Sequence, residues 1–256
     1  MTKEYLDLLE NVLSFSLWKE PLKPLNYTAK RGLGMKALRQ VDKVLRKGGL
    51  AIAIVPKHTA AEGKDWPVCA HTMIGQARLR NIRQLCDEVD WSGVRGAYVE
   101  CGVWRGGASI YARACLSRER PVICCDTFAG MPQDNVEPQF STYDVLAVSE
   151  QEVRENFSRF RLNDNVHFVK GPFSETLSCW SRPIAILRVD GDMYSSTTHV
   201  LTHLGQFVTP GGFIIIDDWN LPLCRMAVEV YRKLWNISST IVEIDNNGIY
   251  WQVEDQ

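Results

Sequence analysis

From Ala97 onward, short apolar runs alternate with amphipathic stretches, and this alternation constrains the fold more than any other feature of the chain. The runs AYVEC, PVICCD, VHFVK, IAILRVD and GGFIIIDD read as strands. Between them lie GASIYARACLSRE, SEQEVRENFSRF, a short turn near SETLSCW, and SSTTHVLTHLGQFV. Strands that alternate with helices build a mostly parallel sheet covered on both faces, so the fold class is α/β. Ser149 and Glu152 form a capping-box pattern at the start of the second helix. A further helix, CRMAVEVYRKLW, follows the GGFIIIDD strand. The chain then closes with STIVEID, the turn residues Asn246, Asn247 and Gly248, and IYWQV, which predict an antiparallel hairpin. Such an ending departs from the purely parallel order of a dehydrogenase.

Ahead of this core, TMIGQARLRNIRQLCDEV places Ile74, Ala77, Ile82, Leu85, Cys86 and Val89 at helical spacing, with Thr72 as the expected N-cap. The segment from Lys19 to Lys47 carries more Lys and Arg than acids and includes a helix, GMKALRQVDKVLRK, followed by the apolar GGLAIAIV. Charge runs are usually solvent faces, so a solvated helix with an edge strand or dimer contact is favoured over an anionic-substrate or membrane-surface role. These features divide the chain into an N-terminal extension, residues 1–70, and a main domain, residues 71–256. A length of 256 residues accommodates one α/β domain with such an elaboration. With 23% charged residues and a formal net charge of -1, nothing points to nucleic acid as the main partner. The start, MTKEYLDLLENVLSF, lacks the apolar core of a signal peptide, and no stretch approaches the roughly 18 apolar residues of a membrane helix. A cytoplasmic protein with no membrane partner is expected. The eight cysteines show no CxxC pair, which favours buried free thiols over a zinc site or disulfide framework.

The chemistry concentrates at strand ends. The first strand runs into Glu100, Cys101, Gly102, Val103, Trp104, Arg105, Gly106 and Gly107, then a helix. Glycines there let the backbone approach a ligand, and the helix N-terminus supplies unpaired N–H donors. The spacing G-x-x-x-G-G matches neither the dinucleotide fingerprint nor a Walker loop, which lowers NAD and ATP as ligands. Asp126 ends the second strand, where an acid either accepts from ribose hydroxyls or caps the following turn. Asp190 and Asp192 in RVDGDMYSST, with Asp217 and Asp218 in IIIDDW, end neighbouring strands and should converge on one crevice. Gathered carboxylates repel unless partnered, and hard oxygen donors suit Mg²⁺ or a similar divalent cation. The alternative is capping by Asp192 and salt bridging of the other acids to Arg188 or Arg225.

The chain resembles the macrocin O-methyltransferase family of antibiotic-sugar methyltransferases. The resemblance runs in order through YLDLLENVL, GKDWPVCAHTMIGQARLRNI, YVECGVWRGGASI, CDTFAGMP, VLAVSEQEVRENF, GPFSETL, ILRVDGDMYSST, GGFIIIDDW, CRMAVEVYR and GIYWQ, and covers most of the chain outside residues 19–62. It implies a Rossmann-like class I methyltransferase fold, S-adenosylmethionine as methyl donor, and a hydroxyl of a glycosylated natural product as acceptor. A homo-oligomer is also expected. By the resemblance, Met73 and Ile74 border the methionine end of the cofactor, with Glu100, Gly102 and Ser109 near its amino and carboxylate groups. Asp126 holds the ribose, and Gly171, Phe173 and Ser174 flank the adenine. Asp190, Asp217 and Asp218 are the implied metal ligands, Asp190 also bordering the cofactor, while Asp192 caps or lies beside them.

Two departures bear on the general base. Macrolide-sugar members carry a histidine in the loop after the CDTFAG-like motif, whereas Met131 to Val148 is shorter here and has none. Catechol-type metal enzymes place a lysine where this chain has Met193. Of five histidines, His167 lies on a strand, His199 and His203 fall four apart on one helix in a surface or packing role, and His71 orients the loop before TMIG. His58 is left as the candidate base, beside Tyr143 and Asp144 in the shortened loop. Two other functions are weighed: methylation of a catechol-like phenol, which ionises more easily than a sugar alcohol, and a non-catalytic S-adenosylmethionine-binding protein. The intact acidic set speaks against the latter.

Overall fold

The computed structural model describes residues 1–25, 33–57, 59–64, 66–131 and 146–255. Seven strands form the central sheet: β3 (Ala97–Cys101), β4 (Val122–Asp126), β5 (Val166–Lys170), β6 (Ile184–Val189), β7 (Val208–Ile216), β8 (Val242–Glu243) and β9 (Ile249–Gln252). Their order across the sheet is β5-β4-β3-β6-β7-β9-β8. The first five pair in parallel, while β9 runs antiparallel to β7 and β8 antiparallel to β9. The expected hairpin is therefore present, and it closes one edge of the sheet. Strand β3 is flanked by β4 on one side and β6 on the other, so the chain winds outward in both directions from it. Loops at the carboxyl ends of β3 and β6 diverge there and open a crevice, the usual ligand position in open α/β sheets.

Alternation along each buried strand divides the core in two. Tyr98, Cys124, Ile186 and Ile215 point to one face, while Val99, Ile123, Leu187 and Ile214 point to the other. On the first face lie α1 (Lys3–Leu13), α3 (Gly75–Trp91), α4 (Gly107–Cys115) and α5 (Glu150–Arg159). The opposite face is covered by α7 (Tyr194–Leu204) and α8 (Pro222–Leu234), with the short α6 (Phe173–Thr176) beside them. Helix α1 is part of this packing: Thr2 accepts the Tyr5 N–H at its N-terminus, and Leu6, Leu9 and Leu13 join the core of the sheet. Burying each such leucine stabilises the fold by about 1.5–3 kcal/mol. Ser149 caps α5 by accepting the Glu152 N–H at 3.2 Å, as the capping-box pattern predicts.

Two local expectations need correction. Helix α3 starts at Gly75 with Ile74 in the cap position, so Thr72 is not its N-cap. The Thr72 hydroxyl instead accepts the Ile74 N–H, two residues on, because Gly75 at φ +71° turns the chain too late for a cap at Thr72. The apolar run after α2 (Leu33–Lys47) gives only β2 (Ala53–Ile54), paired antiparallel with β1 (Lys23–Pro24) and separate from the main sheet. All eight cysteines are free thiols; Cys86, Cys101, Cys124, Cys125 and Cys224 are buried as expected, whereas Cys69 and Cys179 are exposed. Among the described residues no helix is long and apolar enough to cross a membrane.

Candidate active site

The crevice begins at the turn between β3 and α4. Gly102 takes φ +96°, and a Cβ there would sit 1.7 Å from the Asp190 carbonyl oxygen, so only glycine lets the two strand ends approach. Gly106, at φ +84°, is the N-cap of α4, and the Gly107 N–H donates to the His71 carbonyl at 2.9 Å. The Arg105 guanidinium lies over the Trp104 ring at 4.3 Å and donates to the carbonyls of Val68 and Ala70. Asp126 fixes the turn from the neighbouring strand. Its Oδ2 accepts the Val103 N–H at 2.7 Å and its Oδ1 accepts the Phe128 N–H at 2.8 Å. Burial raises its pKa, opposed by those backbone donors. Asp126 thus caps the turn, one of its two expected roles, and it also lines the cleft.

Two compartments meet here. The first is lined by the turn, Asp126, Thr127, the segment Pro172–Ser174 and the start of α7. It mixes apolar walls with a few polar groups, as ligand sites do. The second holds the acids Asp190, Asp192, Asp217 and Asp218 together with Lys64, Trp66 and Arg78. Met73, Leu146, Asp190 and Asp192 line both, so whatever occupies one faces the other.

Beneath the compartments runs a buried charge network. Arg188, 1% exposed near the carboxyl end of β6, donates to Glu100 at 2.5 Å and to Asp190 at 2.8 Å, and forms an ion pair with Asp217 at 2.8 Å. Arg78 reaches the same Asp217 Oδ2 at 2.5 Å, and also Asp245 at 3.1 Å and the Gly63 carbonyl at 3.2 Å. Ser109 and Tyr98 donate to Glu100 as well. Burial lifts Glu100 to about 7, against the pull of Arg188 and Ser109, and lifts Asp190 to about 6, against Arg188. Asp218 is pushed well above the carboxylate range by burial and by Asp192, Asp190 and Asp217. Its Oδ2 accepts the Asp192 N–H at 2.9 Å.

Of the expected cofactor contacts, Met73, Gly102, Asp126, Phe173, Ser174 and Asp190 line the first compartment. The other four fall elsewhere. Glu100 and Ser109 are buried behind the wall, bonded to each other, because Glu100 points into the core toward Arg188. Ile74 lines the acidic compartment, and Gly171 lies beneath the wall, where its N–H donates to the Asp126 carbonyl. The acids do share a crevice as expected, with Arg188 on Asp190 and Asp217, the salt-bridged alternative; Arg225 instead pairs with Glu229 and stacks on Trp219. Among the described residues no three potential ligands converge closely enough to enclose an ion. A hard cation nevertheless fits the donors present. Asp217 Oδ1 is buried without a hydrogen-bond partner, and Asp218 is raised by three neighbouring carboxylates. The candidate bases His58, Tyr143 and Asp144 lie outside the described residues.

Two site residues escaped the sequence reading. His199 stacks on His203 and also lines the first compartment: α7 starts directly after the β6 turn, so Ser195, Ser196 and His199 face the cleft. Arg78 could have been found, since it falls four residues from both Ile74 and Ile82, a cation on the apolar stripe of α3.

A seven-stranded sheet with an antiparallel penultimate strand, a glycine turn and strand-end acid over one cleft, and an acidic compartment beside it defines the class: a Rossmann-like, S-adenosylmethionine-dependent O-methyltransferase. Comparison with known proteins agrees. The model of the macrocin-O-methyltransferase (TylF) family matches residues 2–253, and the chain belongs to that family. It is 38% identical to demethyldecarbamoylnovobiocin O-methyltransferase of Streptomyces niveus, over 97% of this chain and 92% of that protein. It is 43% identical to mycinamicin III 3''-O-methyltransferase of Micromonospora griseorubida, over 74% of this chain and 81% of that one. Among solved structures, that of the O-methyltransferase NovP superposes with a TM-score of 0.81 at 36% identity, covering 98% of this chain and 99% of that one.

Proposed function

We propose that this enzyme methylates a sugar hydroxyl of a glycosylated natural product, with a divalent cation such as Mg²⁺ assisting at the acidic compartment. One observation carries the reading: the cleft beside the glycine turn and a carboxylate-rich compartment share Met73, Leu146, Asp190 and Asp192 as a common wall. The relatives named for a novobiocin precursor and for mycinamicin III support the acceptor class. S-adenosylmethionine supplies an electrophilic methyl group, and in-line transfer needs the acceptor oxygen held opposite it. In this reading Gly102 and Met73 border the reactive end of the cofactor, and Asp126 accepts from the ribose. Asp190, Asp217 and Asp218 would hold the cation, whose chemistry is to lower the pKa of a bound hydroxyl. Arg188 and Arg78 keep Asp190 and Asp217 in place and offset part of their charge. Trp66 and Lys64 flank the acceptor. The proton of the hydroxyl leaves toward the acidic compartment or toward His58, Tyr143 or Asp144.

The test is turnover on glycosides with a free sugar hydroxyl and on their aglycones, each with and without EDTA. Transfer to glycosides alone, lost with chelator and restored by Mg²⁺, is expected. Transfer to phenolic aglycones, or full activity without metal, contradicts the acceptor or the metal assignment respectively.

A further inference from the structure

We propose that Asp245, at the tip of the C-terminal hairpin, is a positioning residue for the acidic compartment: by balancing the charge of Arg78 it leaves Asp217 a free, negatively charged oxygen for the cation. The inference rests on the metal reading above and adds to it a residue that does not itself line the compartment.

The two oxygens of Asp217 are used unequally. Arg78 Nη1 donates to Oδ2 at 2.5 Å and Arg188 Nη2 pairs with the same oxygen at 2.8 Å, whereas Oδ1 is buried without a hydrogen-bond partner. Two guanidinium groups on one carboxylate outweigh its single charge. A cation approaching Oδ1 then meets repulsion unless each arginine is balanced by another acid. Arg188 has Glu100 and Asp190 for this. Arg78 is buried, so water screens it little, and its Nη2 meets only the neutral Gly63 carbonyl. Among the described residues its one further carboxylate partner is Asp245, whose Oδ2 lies 3.1 Å from Nε.

The hairpin is built to keep Asp245 in that place. Asp245 Oδ1 accepts the N–H groups of Asn247 and Gly248 at 2.8 Å each, which folds the tip and leaves Oδ2 for Arg78. Gly248 packs against the Arg78 stem, where a Cβ would stand 2.8 Å from Cδ. The Asn247 carbonyl accepts the Trp219 N–H at 2.8 Å, so the tip is also tied to the chain directly after Asp218. One oxygen of Asp245 thus serves the turn and the other the arginine. Asp245→Asn separates these duties, since an amide oxygen still accepts the two N–H groups while the charge facing Arg78 is lost.

Calorimetric titration of Mn²⁺, a hard oxygen-seeking probe, into wild type, Asp245→Asn and Asp245→Glu tests this, with S-adenosylhomocysteine titrated separately as the control. Asp245→Asn should bind Mn²⁺ about tenfold more weakly, the scale of losing one unit charge within roughly 10 Å in a partly buried setting. Its S-adenosylhomocysteine affinity should be unchanged, and its turnover should recover at raised Mg²⁺. Asp245→Glu, which keeps the charge, should bind Mn²⁺ nearer to wild type. Wild-type Mn²⁺ affinity in Asp245→Asn overturns the proposal, as does equal weakening in both variants, which marks a role in turn shape alone. Failure of wild type to bind Mn²⁺ at all would instead overturn the metal reading.

Discussion

Replacing Arg188 with Met tests whether the buried charge network holds the site together. The substitution keeps an apolar stem of similar reach but leaves Glu100, Asp190 and Asp217 without their shared cation in a place that is 1% exposed. Removing one partner of a buried ion pair costs about 3–5 kcal/mol, because the remaining charge stays desolvated. At roughly 2–4 °C per kcal/mol for a chain of this size, Tm should fall by about 6–20 °C. The loss should also depend on pH. Glu100 has a folded pKa of about 7 against an ordinary 4.5, so the folded state binds the extra proton between those values and its stability contribution falls as pH rises through that window. Without Arg188, which lowers that pKa, the window extends further upward. Metal-free thermal melts at about pH 6 and about pH 8 should therefore show the variant's deficit larger at the higher pH. A deficit below about 1 kcal/mol, or one equal at both pH values, refutes the network's role.

Other perturbations probe the site piece by piece. Gly102→Ala forces a Cβ within 1.7 Å of the Asp190 carbonyl, so the variant should melt well below wild type and bind no S-adenosylhomocysteine; a normal melt with normal binding counts against the turn geometry. Asp126→Ala should weaken S-adenosylhomocysteine about tenfold or more by calorimetry, since a charged acceptor is lost, and an unchanged Kd places the ribose elsewhere. Asp217→Asn should lower acceptor turnover far more than cofactor affinity; the reverse pattern would mean that the division between the two compartments is drawn wrongly.

The parallel strands, the closing hairpin and the Ser149 cap were legible because each rests on local periodicity or turn chemistry. So were Gly102, Asp126 and the strand-end acids, whose places follow from where the β3, β4, β6 and β7 runs stop. What stayed hidden depends on distance in three dimensions. Arg78 lies 139 residues from Asp217 along the chain, and only the packing of α3 against the sheet brings them together. His199 was assigned to a surface or packing role because its separation in sequence from Asp190 says nothing of which face of α7 meets the cleft. The resemblance put Glu100 near the amino and carboxylate groups of the cofactor, and strand alternation turns its side chain toward Arg188. The apolar stretch after α2 has the composition of a strand, but among the described residues it pairs only with Lys23–Pro24.

The central claim, transfer of a methyl group to a sugar oxygen, is tested most directly by the position of the label in the product. The enzyme is supplied with S-adenosylmethionine carrying a ¹³C-methyl group, Mg²⁺ and glycosides lacking one sugar O-methyl group, and the product is read by heteronuclear NMR. A single labelled methyl correlated to a sugar ring carbon is the predicted result. Label on a phenolic oxygen of the aglycone, or no transfer to any glycoside that binds, would contradict it.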